Sequence, residues 1–238
     1  MGVWLLVAAL LLYANGDAWI AMRRRRPLHA PVNPRHLSML ALALYWAKRE
    51  RFSLRELGIG QRGLTNSVLW GGLVGVIGSI PLRIFLGLPT IAERAVTQPN
   101  LAGVGRRRLL VLLVGQAFLS TAVFEEVVFR GVLQAWFARR HGPRRAGLLV
   151  SGLFAAWHLV VVWSNLAHAG LPRAAQAVLY PAALALLFAV GVVLGELRRR
   201  TGHVAGAVLA HWLLIAGVIV RLAQAGKREP PPPHALSR

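Results

Sequence analysis

The sequence predicts an all-α fold, a polytopic transmembrane helical bundle of roughly six to eight membrane helices, and three observations carry that prediction. Across 238 residues, 56% are hydrophobic, only 15% are charged and the mean hydropathy is +0.54, more apolar than a soluble domain of this length requires. Apolar runs recur along the chain, and each crossing consumes about 20 apolar residues plus a short connection. The arginines behind the net charge of +20 cap those runs, in clusters at Arg23–Arg26, Lys48–Arg51, Arg106–Arg108, Arg139–Arg145 and Arg198–Arg200, as loop charges do beside a bilayer. The lipid bilayer is therefore the first expected partner. No nucleic acid is expected, because that role needs one solvated basic face. The absence of cysteine excludes disulfides, thiolate catalysis and Cys-ligated metals.

A single integral membrane domain is expected over residues 1–226, with a motif-bearing core at about 107–222 and a Pro-rich, disordered tail at 227–238. Val3–Ala21 has no basic segment before it and four arginines after it, the pattern of a retained first helix rather than a cleaved signal. A basic, proline-bearing stretch follows to Arg35. Leu37–Ala47 is too short to span easily and reads as an interfacial or half-inserted helix. Leu69–Leu88 is long enough to cross, with Pro81 and Arg83 expected to kink it or end its lipid-exposed part. The 89–105 stretch reads as loop. Arg107–Arg139 has one long helical pattern, followed by apolar segments at Gly147–Trp163, Ala174–Leu197 and Val204–Leu222. Charge asymmetry puts Arg139–Arg145 and Arg198–Arg200 on the cytoplasmic side and Ser164–Pro172 outside; Arg106–Arg108 breaks this parity unless it is interfacial or an upstream run does not cross.

Glu125 and Glu126 are the two acids in the middle of an apolar helix, where a carboxylate costs about 2.5 to 3.5 kcal/mol on insertion scales. Glu126 and Arg130 stand at i,i+4 and can pair on one face. Glu125 points about 100° away and has no partner on its own helix, which suits a general base. Two histidines, His158 and His211, also fall inside spans. Measured from the basic clusters at about 1.5 Å per residue, Glu125 lies about 21 Å deep, His158 about 20 Å and His211 about 17 Å. Ionisable groups that converge at one depth mark substrate, proton or metal sites. Phe154, one turn before His158, is placed to pack against its ring.

Glu125-Glu126-Val-Val-Phe-Arg130 fits an EExxxR pattern, Phe154-Ala-Ala-Trp-His158 fits FxxxH, and His211 stands where an HxxxN pattern begins. In this order the motifs resemble the CPBP family, also called Abi, of type II CAAX prenyl endopeptidases and bacterial relatives tied to bacteriocin processing or immunity. The resemblance implies an intramembrane endopeptidase in which Glu125 and His158 activate water, His211 helps stabilise the oxyanion, and Glu126 and Arg130 shape the site. It implies a multi-pass protein of the bacterial inner membrane that cuts a membrane-associated peptide or protein. No cofactor is expected: there is no HExxH helix and Glu126 is matched to Arg130, so metal-independent catalysis is favoured over a zinc mechanism. Ile215 departs from the pattern, standing where the family carries Asn, with Trp212 and Asn165 as candidate replacement donors. The alternative is a non-catalytic membrane-binding or bacteriocin-immunity-type protein that retains the site. A proton-coupled transporter lacks the paired broken helices it would need. Oligomeric state is not encoded in any pattern of the sequence.

Overall fold

The computed structural model describes residues 2–24, 34–85 and 104–225, all of them helix, turn or short connection, with no strand. In chain order the helices are α1 (Val3–Arg24), α2 (Pro34–Arg49), α3 (Leu64–Phe85), α4 (Arg106–His141), α5 (Pro143–Trp157), α6 (Leu159–His168), α7 (Arg173–Thr201) and α8 (Ala205–Ala225). Helix α4 is continuous, but its bonding opens to the wider π pattern over Val111–Val123 and Val127–Leu133, on either side of an α turn at Phe124–Glu126. Such widening recurs at functional sites. Here the α turn between the two wide stretches carries both glutamates.

Among the described residues, five helices are long and apolar enough to cross a membrane, or six when the bent α5–α6 pair counts as one span. Counted with the bent pair, six meets the lower end of the expected six to eight; α2, expected to be interfacial or half-inserted, has 16 residues with a basic last turn and does not qualify. Of the expected loop at 89–105 only residues 104–105, which are in no helix, are described, and the tail at 227–238 lies outside the described residues. Two boundaries differ from the sequence reading. Helix α3 begins five residues earlier than the apolar run and continues through Pro81. The segment expected as one span over Gly147–Trp163 breaks at His158, where α5 and α6 meet at a 41° bend.

A core of buried side chains joins α1, α2, α4 and α5, with Leu6, Leu10, Trp46, Phe129, Phe137 and Phe154 at its centre. The apolar residues facing outward, such as Leu69, Trp70, Leu73 and Ile77 on α3, are suited to lipid rather than water. Because lipid offers no hydrophobic drive between helices, close backbone approach has to hold them together. The α3–α8 pair shows this. Gly71, Gly75 and Gly78 face Gly206, Ala210 and Leu214 in the same chain direction, so the two helices run parallel. A methyl added at Gly71 would lie 2.3 Å from the Gly206 carbonyl oxygen. The Ser67 hydroxyl completes the contact, donating to the His203 carbonyl (2.9 Å) and accepting from the Gly206 N–H (2.8 Å). Gly206→Leu is expected to lower stability by at least the 1–3 kcal/mol typical of overpacking, read as a drop in thermal unfolding temperature in detergent; Leu209→Ala, whose side chain stands beside Gly72 rather than at the tight approach, should lower it less.

The connection from α2 to α3 is fastened to the end of α4 by one side chain. Arg139 donates to the Glu50 carbonyl (3.2 Å) and to the Glu56 carboxylate (2.6 Å), and its guanidinium lies 3.5 Å from the Phe52 ring centre. Arg139, followed by the Ser53 N–H and hydroxyl, holds the Glu56 carboxyl down from 4.5 to about 2. A depressed carboxylate contributes fully above its unfolded value and loses that contribution as pH falls through the folded one. Protection of the 52–59 amides, normalised for intrinsic exchange, should therefore fall between pH 4.5 and 2. In Glu56→Gln it should be insensitive to pH over the same window. The effect is small, as both side chains are substantially exposed.

Candidate active site

The glutamate pair is separated by its surroundings. Glu126 is fully buried, and its Oε1 accepts from Arg130 Nη1 (3.2 Å) and from His211 Nδ1 on α8 (2.8 Å). Arg130 Nε lies 3.1 Å from Glu126 Oε2 but forms no hydrogen bond there; the charges pair although the N–H is poorly aligned. The same guanidinium donates through Nη2 to the Gly191 carbonyl of α7 (3.3 Å) and lies 4.3 Å above the Phe154 ring. One turn on, Gln134 donates to the Gly195 carbonyl (3.0 Å). Glycine at 195 makes room for the Gln134 amide, which a methyl there would approach to 3.3 Å, while glycine at 191 lets α7 lie against Ser151 of α5, 3.0 Å from where a methyl would stand.

Glu125 faces a different neighbour. Trp157 Nε1 donates to its Oε1 (3.3 Å), and its Oε2, buried and without a hydrogen bond, lies 3.9 Å from His158 Nε2. His158 occupies the α5–α6 break at φ −98°, ψ 3°, in the bridge region where many active-site residues sit. Its Nδ1 is 2.8 Å from the Phe154 carbonyl. A carbonyl only accepts, so Nδ1 carries a proton, and Nε2 is the ring nitrogen on the Glu125 side. The 3.9 Å between Glu125 Oε2 and His158 Nε2 exceeds a direct hydrogen bond, and Oε2 is closed off from solvent in this arrangement.

The break at His158 is held from a distance. Asn15 on α1 donates to the Ala156 carbonyl (3.1 Å) and accepts from the Val160 N–H (3.0 Å), so one amide satisfies a donor and an acceptor that the interrupted helix leaves open. Phe154 lies between the two halves of the site, 4.8 Å from the His158 ring, 5.8 Å from the His211 ring and beneath Arg130.

The residues that the geometry brings together lie within a segment that a family comparison matches. Residues 107–216 match the Rce1-like family, described as type II CAAX prenyl endopeptidase Rce1-like. No curated protein and no solved structure matches the chain. The Rce1-like segment covers α4 to most of α8 and contains all five site residues expected from sequence. It covers a little under half of the chain. The remainder supplies supports to the Rce1-like segment: Asn15 from α1, the α3 platform beneath α8, and His36 from α2.

Glu125, Glu126, Arg130, His158 and His211 thus fall in one buried cluster, as two linked groups rather than a single ring. His211 binds Glu126 as well as Arg130 does, a contact the sequence reading did not include. Trp157 and Gln134 were also missed, although Trp157 stands next to His158 in the motif. His36 had no sequence signal: its Nδ1 lies 2.7 Å from the Ser120 carbonyl and its ring stacks on Phe124 at 4.6 Å. Burial holds His36 towards its neutral form against the raising pull of the Glu125 charge.

The candidate replacements for the donor missing at Ile215 do not reach the cluster. Trp212 donates its indole N–H to the Leu113 carbonyl (2.9 Å), and Asn165 is exposed on α6. Trp157 is the indole that touches the site. A zinc ion held by three protein ligands is not matched by this donor set: among the described residues no three His, Asp or Glu side chains gather as ligands, and Glu126 is already bonded to Arg130 and His211.

Proposed function

We propose that the chain is an intramembrane endopeptidase of the inner bacterial membrane that hydrolyses a peptide bond in a membrane-associated peptide or protein. The observation that carries this reading is the 3.9 Å approach of Glu125 Oε2 to His158 Nε2, with each group fixed by a second bond. Glu125 takes a proton from a water as its oxygen attacks the scissile carbonyl, and His158 orients that water. The proton then passes to the leaving amine. His211, held through Nδ1 by Glu126, presents Nε2 towards the developing oxyanion and stabilises it when protonated. Glu126 and Arg130 fix His211 and hold α4 to α7. His158→Ala is expected to abolish cleavage of a co-expressed membrane substrate at unchanged protein level; normal cleavage by this variant would sink the reading.

A non-catalytic binding or immunity protein is the second reading, favoured by Ile215 and by the commitment of Trp212 to Leu113. An oxyanion donor is worth on the order of 10²- to 10³-fold in rate. Ile215→Asn should therefore raise turnover if the site is a slow protease, by only part of that factor because the surroundings are not built around the new amide. No gain over the wild type in a timed cleavage assay would favour the second reading.

A further inference from the structure

We propose that the cavity between the 55–63 connection and the α7–α8 turn binds a phosphate-bearing anion, either free or presented on a lipid headgroup. The cavity has a volume of about 530 Å³, lies at the basic end of the bundle and shares no lining residue with the Glu125–His158 cluster. Arg55, Arg62 and Arg198 line it. One carboxylate, Glu56, also lines it, and its charge is taken up by Arg139 and Ser53; Glu196, two residues before Arg198, is bonded to Arg199 and Arg200. Among the described residues none of the three lining arginines has a carboxylate partner.

The walls are built rather than incidental. Arg198 donates through Nη2 to the Glu56 carbonyl (2.9 Å), while its Nε is buried without a hydrogen bond. Its guanidinium lies against Gly58, where φ is +71° and an added Cβ would stand 2.4 Å from Nε. His203 donates from Nε2 to the Gly60 carbonyl (2.7 Å), with its Nδ1 accepting from the Ala205 N–H (2.9 Å), and the Val204 N–H bonds the Gly58 carbonyl (3.0 Å). Three cations around one fixed cavity repel one another unless an anion sits among them, and guanidinium groups match phosphate oxygens by charge-assisted paired bonds. Lipid phosphates lie at this depth, since the cavity is beside the C-terminus of one span and the N-terminus of the next.

The test titrates the purified full chain in zwitterionic detergent, in one arm with inorganic phosphate and in the other with dioctanoyl phosphatidylglycerol, followed by calorimetry. Saturable binding in at least one arm is expected; binding in the lipid arm alone assigns the ligand to a headgroup, and binding in both shows that phosphate suffices. Near a membrane surface each arginine is worth about fivefold, so the Arg55→Gln/Arg62→Gln double variant, whose side chains are exposed and leave the fold intact, should bind about 25-fold more weakly. Arg144→Gln, basic and exposed but outside the cavity, should bind as the wild type does. Wild-type affinity in the double variant, an equal loss in Arg144→Gln, or no saturable binding in either arm overturns the proposal.

Discussion

Glu125→Gln is expected to lower cleavage by about 10²- to 10⁴-fold, the range a positioned general base contributes, with folding undisturbed. Glutamine keeps the shape and can still accept the Trp157 N–H at Oε1. It cannot take a proton from water. Truncation to alanine would be less informative, since it also removes the indole's partner and empties buried space. The expected pattern is unchanged protein level and unfolding temperature with lost cleavage in a timed assay. Residual cleavage at wild-type rate would place the base elsewhere.

Arg130→Met should act in the opposite way, on the fold first. Arg130 is 1% exposed and is bound to Glu126, to the Gly191 carbonyl and to the Phe154 face. Removing one partner of a buried pair leaves the other charge uncompensated, at about 3 to 5 kcal/mol. Replacing both partners removes that penalty. Unfolding of the purified protein should therefore show a large loss for Arg130→Met and a clearly smaller one for Glu126→Gln/Arg130→Met, in which the amide oxygen can still accept from His211. Equal losses in the single and double variants would mean that Arg130 acts through its contacts to α7 and Phe154, not through Glu126.

The parts of this site that sequence made legible are those set by helix periodicity. The i,i+4 relation of Glu126 and Arg130, the offset of Glu125 and the shared depth of His158 and His211 all follow from regular helices measured from a charged end. The parts that stayed hidden are irregular or non-local. Nothing in Trp157-His158-Leu159 announces a broken helix, because the break is stabilised by Asn15, far away in the chain on α1. The contacts of Arg130 and Gln134 with α7 go to the carbonyls of Gly191 and Gly195, ordinary residues until α4 and α5 are laid across them. His36 was hidden because the short helix carrying it reads only as amphipathic. The status of α2 was legible from length alone: it has enough apolar residues to suggest insertion but not enough to cross, and it does not qualify as a span.

The division of labour between the two glutamates is tested most directly by quantitative proteomics of membranes expressing wild type, Glu125→Gln or Glu126→Gln at matched protein level. A truncated membrane peptide or protein should be present with wild type and absent with Glu125→Gln, its full-length precursor accumulating instead. Glu126→Gln, which weakens the hold on His211 but leaves the base in place, should retain measurable product at a reduced rate per folded protein. Products unchanged by Glu125→Gln, or lost only with Glu126→Gln, would contradict the assignment of Glu125 as the base.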